Sequence, residues 1–154
     1  MPAKRVIFAA LKFSNCLKNR YMNIYRNVDS ALLLLRVAFG GMMIYGHGYG
    51  KLLRLFGSEE ISFSDPFGIG PVASLALAAF AEFVCSLCVM LGLFTRWTVI
   101  PLIITMLVAA LYAHGGDPFA RQEKALMYLA AFIALLFTGG GYYSLDRLIS
   151  NKRV

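Results

Sequence analysis

Arg36, His47, Lys51, Glu82, His114, Asp117 and Glu123 are chemically capable side chains set in or beside some of the most apolar stretches of the chain. An arginine, lysine or aspartate at the centre of a bilayer costs about 2.5–3.5 kcal/mol on insertion scales, so each needs a partner or a function. Arg36, Gly40, Met43, His47 and Lys51 recur at spacings of four, three, four and four and so share one helix face. Imidazole and carboxylate side chains in an apolar setting suit proton transfer, which makes Glu82 and His47 the candidate proton-handling residues. Arg36, Lys51, His114, Asp117 and Glu123 complete a candidate polar pocket, and an ion pair between Arg36 and Glu82 inside the bundle is the expected way to bury both. Interfacial polar residues are common in membrane proteins, so the argument rests on the set and not on any one member.

Other chemistries are less well supported. Two histidines and a carboxylate, His47, His114 and Glu123, match a known metal-ligand set, but no short-spaced ligand pair accompanies them and no metal is assigned. Cys85 and Cys88 form a CSLC sequence, a redox pattern when it precedes a soluble helix. Inside an apolar helix the same residues read first as small packing groups. Cys16, among basic residues, is a candidate acylation site. Phosphate loops, nucleophile elbows, zinc-protease and dinucleotide motifs are not found.

The elements that must position these residues are helices in lipid. Of 154 residues, 59% are hydrophobic and 15% charged, against about 45–50% apolar and about 25% charged in soluble domains. Spanning helices need about 20 mostly apolar residues. Four segments qualify: Ser30 to about Lys51, with Asp29 or Ser30 as its cap; Pro71 to about Thr95; Trp97 to about His114; and about Glu123 to Thr138, stopped by Gly139, Gly140 and Gly141. The expected fold is all-α, an antiparallel bundle of four transmembrane helices. Residues 1–27 read as a basic leader lying on the membrane surface, 28–147 as the membrane domain and 148–154 as a short basic tail. The start lacks the small-residue cleavage site of a signal peptide. Three cysteines cannot all pair within one chain.

The net charge is +7, which in a membrane protein points to anionic lipid and not to nucleic acid. Lys4, Arg5, Lys12, Lys18, Arg20, Arg26, Arg96, Arg147, Lys152 and Arg153 fall on one side of the four-span arrangement and outnumber Lys51, Arg54, Arg121 and Lys124 on the other. The positive-inside rule therefore places both termini in the cytoplasm and the candidate pocket at the outer face.

The string LLLLRVAFGGMMIYGHGYGKL resembles the first helix of the DoxX family of small bacterial membrane proteins, with Arg36, His47, Gly48 and Lys51 at the matching positions. The helix with Glu82 that ends in LGLFTRW, and the late GGGYYSLD at Gly139 to Asp146, extend the resemblance over residues 30–147. The family pattern has a proline where this chain has Gly140, which predicts a looser end to the fourth helix; the leader and CSLC lie outside the pattern. The resemblance implies a four-helix protein of the cytoplasmic (inner) membrane linked to oxidoreductase assemblies, one branch resembling a subunit of thiosulfate:quinone oxidoreductase.

The functional expectation is a membrane subunit of, or accessory to, a quinone-linked oxidoreductase, with a quinone in the pocket and electrons supplied by a partner subunit or directly by substrate. A homo-oligomer is compatible with this. The alternatives are a non-enzymatic scaffold for redox partners, docked through the leader and the acidic first loop, and a proton-coupled carrier of small solutes.

Overall fold

A computed structural model describes Met22, residues 25–58 and residues 60–151. The expected surface leader and Cys16 fall almost wholly outside the described residues. Among the described residues, the regular structure is all helical, with helices α1 (Tyr25–Leu55), α2 (Pro71–Leu91), α3 (Thr95–Ala113), α4 (Phe119–Thr138) and α5 (Leu145–Asn151).

The first three are long and apolar enough to cross a membrane. The fourth has 20 residues and packs along α3. The result is the expected polytopic four-helix bundle. Its core is built from Met43, Cys85, Val89, Val99, Leu102, Met106, Ala110, Ala125, Phe132 and Leu135, drawn from all four helices. Phe39 of α1 meets Tyr128 of α4 edge to face at 5.7 Å, which closes the ring of helices.

Several boundaries differ from expectation. Asp29 and Ser30 are not caps: α1 is already helical at Tyr25, and both lie inside it. α4 starts a turn earlier than its apolar stretch, because the polar residues from Phe119 onward continue the same helix. The turn between α2 and α3 is made by Gly92 and Phe94, both left-handed.

Each of α1, α2 and α3 also contains one turn of π-helix, at Ile44–Gly48, Phe80–Cys85 and Ala109–Ala113. A π turn carries an extra residue and is frequent at functional sites. Those of α1 and α3 lie toward the end of the bundle that carries the 57–70 and 114–118 connections, here called the loop end, and that of α2 lies at the middle of its helix.

The opposite end is a knot of side chain to backbone bonds. Asp146 accepts from the Phe94 and Thr95 amides at 2.6 and 3.0 Å, so its carboxylate satisfies the first donors of α3. Asp29 accepts from the Tyr142 amide at 2.8 Å. Arg36 donates from Nη2 to the Tyr143 carbonyl at 2.7 Å. Gly92 is required there, because a Cβ would overlap Arg36 Nη1 and lie 2.6 Å from Ser144 Cβ. The predicted looseness around Gly140 is not seen: the residue is buried, and a Cβ would lie 2.7 Å from both Ser144 Cβ and Thr95 Oγ1.

Candidate functional site

The depth of each polar residue is set by how closely α1 and α2 approach. At Gly48 a Cβ would lie only 2.6 Å from the Glu82 carbonyl oxygen, so the absence of a side chain lets the two backbones touch there. That contact puts Glu82 level with the part of α1 toward the loop end. Lys51, one turn beyond Gly48, reaches across to Glu82 Oε2 and forms an ion pair. Glu82 is 2% exposed and the Lys51 side chain 21%. The pair replaces hydration for both groups.

The expected Arg36–Glu82 pair is therefore not formed. Arg36 lies about 18 Å along the axis from the level of Gly48 at roughly 1.5 Å per residue, beyond the reach of its side chain. It is fully buried, but in the knot at the other end, where Tyr143 accepts from it and Asp146 supplies a countering charge. Its Nε and Nη1 have no partner among the described residues. Arg36 thus joins the terminal segment to α1 and does not line the pocket.

The Lys51–Glu82 pair forms part of the wall of a cavity of about 580 Å³ at the loop end, within the range of small-molecule sites. His47 lies on the same wall, its ring edge to face with Tyr128 at 5.8 Å. The π turn at Ile44–Gly48 is what presents His47: the buried positions of α1 run Arg36, Gly40, Met43, Gly48, so the extra residue puts Gly48 against α2 and leaves His47 facing the cavity. Glu82 sits in the π turn of α2, and the π turn of α3 ends beside His114, another lining residue.

At the mouth, His114 Nδ1 meets Asp117 Oδ2 at 2.9 Å, and Arg121 donates to Asp117 Oδ1 at 3.3 Å. The hydrogen bond from His114, then the Arg121 charge, holds the Asp117 carboxyl below the usual carboxylate range. Gln122 ties the turn down by donating to the His114 and Asp117 carbonyls at 2.9 and 3.1 Å. Across from it, Phe63, Ser64, Pro66 and Phe67 of the first loop line the cavity. Asp65 fixes that loop: it accepts from the Ser74 hydroxyl at 2.7 Å and from the Gly70 and Ile69 amides at 2.7 and 3.1 Å. The Ser74 bond, followed by the Gly70 amide, lowers the Asp65 carboxyl from its ordinary value.

The structure thus brings His47, Lys51, Glu82 and His114 to one cavity, with Asp117 bonded to His114 at its edge. Glu123 is exposed and does not line it. His47, His114 and Glu123 do not converge; among the described residues no three His, Cys, Asp or Glu side chains group closely enough to hold a metal. Cys85 is buried in the core, Cys88 is half-buried, both are free thiols and neither lines the cavity.

Sequence reasoning missed Tyr128, Lys124, Arg121 and Thr105. Tyr128 lies one turn after Lys124 on α4, and that i,i+4 pairing was the available signal.

The chain can now be set beside known proteins. It is 28% identical over 130 residues to inner membrane protein YqjF of Escherichia coli (strain K12), covering 80% of this chain and 95% of that one. It is 32% identical over 130 residues to an uncharacterized protein of Haemophilus influenzae (strain ATCC 51907 / DSM 11121 / KW20 / Rd), covering 79% of this chain and 92% of that protein. No solved structure matches the chain. The DoxX family model matches residues 31–115, which contain Arg36, the π turns and the Lys51–Glu82 pair. With more than half its length matched by that model, and with the helix order and close α1–α2 contact described above, this chain belongs to the DoxX family.

Proposed function

We propose that this DoxX protein resides in the inner membrane and serves as a membrane subunit of, or accessory to, a quinone-linked oxidoreductase system, with the loop-end cavity as its quinone site. The observation that carries the reading is the buried Lys51–Glu82 pair beside His47, on helices locally distorted into π turns, in a largely apolar cavity. The name of the Escherichia coli relative supports the inner membrane.

The residues present suit such a ligand. A quinone head is flat and apolar with carbonyl acceptors; reducing it takes up two electrons and two protons. Tyr128 and Phe63 offer aromatic faces, and Lys51, His47 and the Tyr128 hydroxyl offer donors. Glu82 and His47 are placed to hold or pass protons. Electrons would come from a partner protein. Breaking the Lys51–Glu82 pair to let Lys51 face an acceptor costs Coulomb energy, which binding must offset.

A titration of a soluble quinone analogue into the purified protein tests this. Saturable binding is expected, weakened about tenfold by His47→Ala, since stranding one partner of a buried hydrogen bond costs about 1–3 kcal/mol, and not weakened by Glu82→Gln, which frees Lys51 to face the acceptor. Absence of binding by folded wild-type protein would refute the quinone site and leave the scaffold reading.

A further inference from the structure

Helices α2 and α3 run antiparallel from the Gly92 turn, so they are in contact near it. Farther out they part. The segment Phe80–Leu91 packs on α3, but the first turns of α2, Pro71–Ala79, pack mainly on α1, while Ala109–Ala113 of α3 packs mainly on α4. The two helices therefore form a V that widens toward the loop end, and the cavity occupies it, with Leu77 and Phe80 on one arm and Pro101, Ile104 and Val108 on the other.

The outer edges of the V are apolar. Leu77, Phe80 and Ile104 are 58%, 52% and 49% exposed. Ile104 is the midpoint of Thr95–Ala113, and Phe80 lies next to the midpoint of Pro71–Leu91. At that depth the surrounding medium is hydrocarbon. The aqueous side, by contrast, is roofed by the Phe63–Phe67 segment, which Asp65 pins to the start of α2.

We infer that the V between α2 and α3 is a lateral entrance through which a lipid-soluble molecule with a polar head and one long hydrocarbon tail enters from the bilayer. The head lies against Lys51 and Glu82, and the tail passes between Leu77 and Ile104 into the lipid. The inference rests on the reading of this cavity as the ligand site, and it names the class of occupant as lipid and not a water-soluble solute. A head that accepts hydrogen bonds or carries negative charge matches Lys51, and a tail leaving through an apolar slot exposes no unsatisfied backbone, because both walls are helices.

A fluorescent reporter inside the cavity tests the route without knowing the head group. Trp97, the single tryptophan, is replaced by Phe and the reporter introduced as Tyr128→Trp, on the wall opposite the V. The protein is reconstituted into phosphatidylcholine vesicles with brominated acyl chains, and separately into ordinary vesicles with iodide in the buffer. Quenching by brominated chains, little quenching by iodide, and loss of most of the chain quenching on adding Ala78→Phe to plug the V are expected. Iodide quenching without chain quenching, or chain quenching indifferent to the plug, would overturn the entrance. If Ala78→Phe does not reconstitute, Leu77→Ala should widen the V and raise chain quenching; no rise would count equally against it. Chain quenching without quinone binding removes the quinone and keeps the entrance, and quinone binding with iodide quenching alone does the reverse.

Discussion

A carboxylate that is 2% exposed in a membrane helix must be neutralised by a proton or by a cation, and here the cation is Lys51. Removing one member strands the other. Lys51→Met is expected to cost about 3–5 kcal/mol, the range for breaking a buried pair, toward the lower end because Lys51 is partly exposed. Glu82→Gln should cost less, and the double variant Lys51→Met/Glu82→Gln should recover much of the loss. Thermal melts in detergent check the cycle; a double variant as damaged as the sum of the two singles would mean the groups do not interact. The sequence pointed to Arg36 as the partner of Glu82 and not to Lys51, since hydropathy fixes that a helix crosses but not its depth against its neighbour. The Gly48 contact sets that depth.

The helices themselves were legible, because long apolar runs ended by Gly and Pro carry their own signal. The π turns were not, since one extra residue per turn leaves no mark in composition. Their effect is an error in phase: the expected stripe through His47 becomes a buried face through Gly48, and His47 turns to the cavity. The three glycines around His47 therefore separate by function. Gly48→Ala should force the helices apart and cost about 1–3 kcal/mol, as overpacking does. Gly46→Ala and Gly50→Ala, where a Cβ meets nothing within 4 Å, should be neutral or stabilising by up to about 1 kcal/mol through helix propensity. Equal effects at Gly46 and Gly48 in a thermal melt would refute the close contact. The SLD sequence was visible only as a family pattern, and the glycines before it only as a helix stop and part of that pattern; the structure gives them a further physical role, as the carboxylate and close turns that hold the knot.

At the scale of the whole molecule, the two ends differ in kind. The knot end is closed by bonds among α1, the α2–α3 turn and residues 142–146, and the loop end holds the cavity. Counted along the sequence, ten basic residues fall on the side of the first helix's start and of the last segment against four on the other, so the bundle is expected to sit with its loops outside. In a variant with Cys16, Cys85 and Cys88 replaced by alanine, Ser62→Cys should react with a membrane-impermeant maleimide on intact cells, and Ser150→Cys only after permeabilisation. The reverse pattern would invert the orientation. The knot also has a consequence in time. Synthesis runs from the first helix to the last, and a ribosome delivers Arg36 more than a hundred residues before Tyr143, which accepts its bond, and Asp146, which caps α3. Until those arrive, Arg36 stands in the nascent chain without them, free to lean toward water at the membrane surface. The last segment to be made is therefore the latch that converts four inserted helices into one closed body.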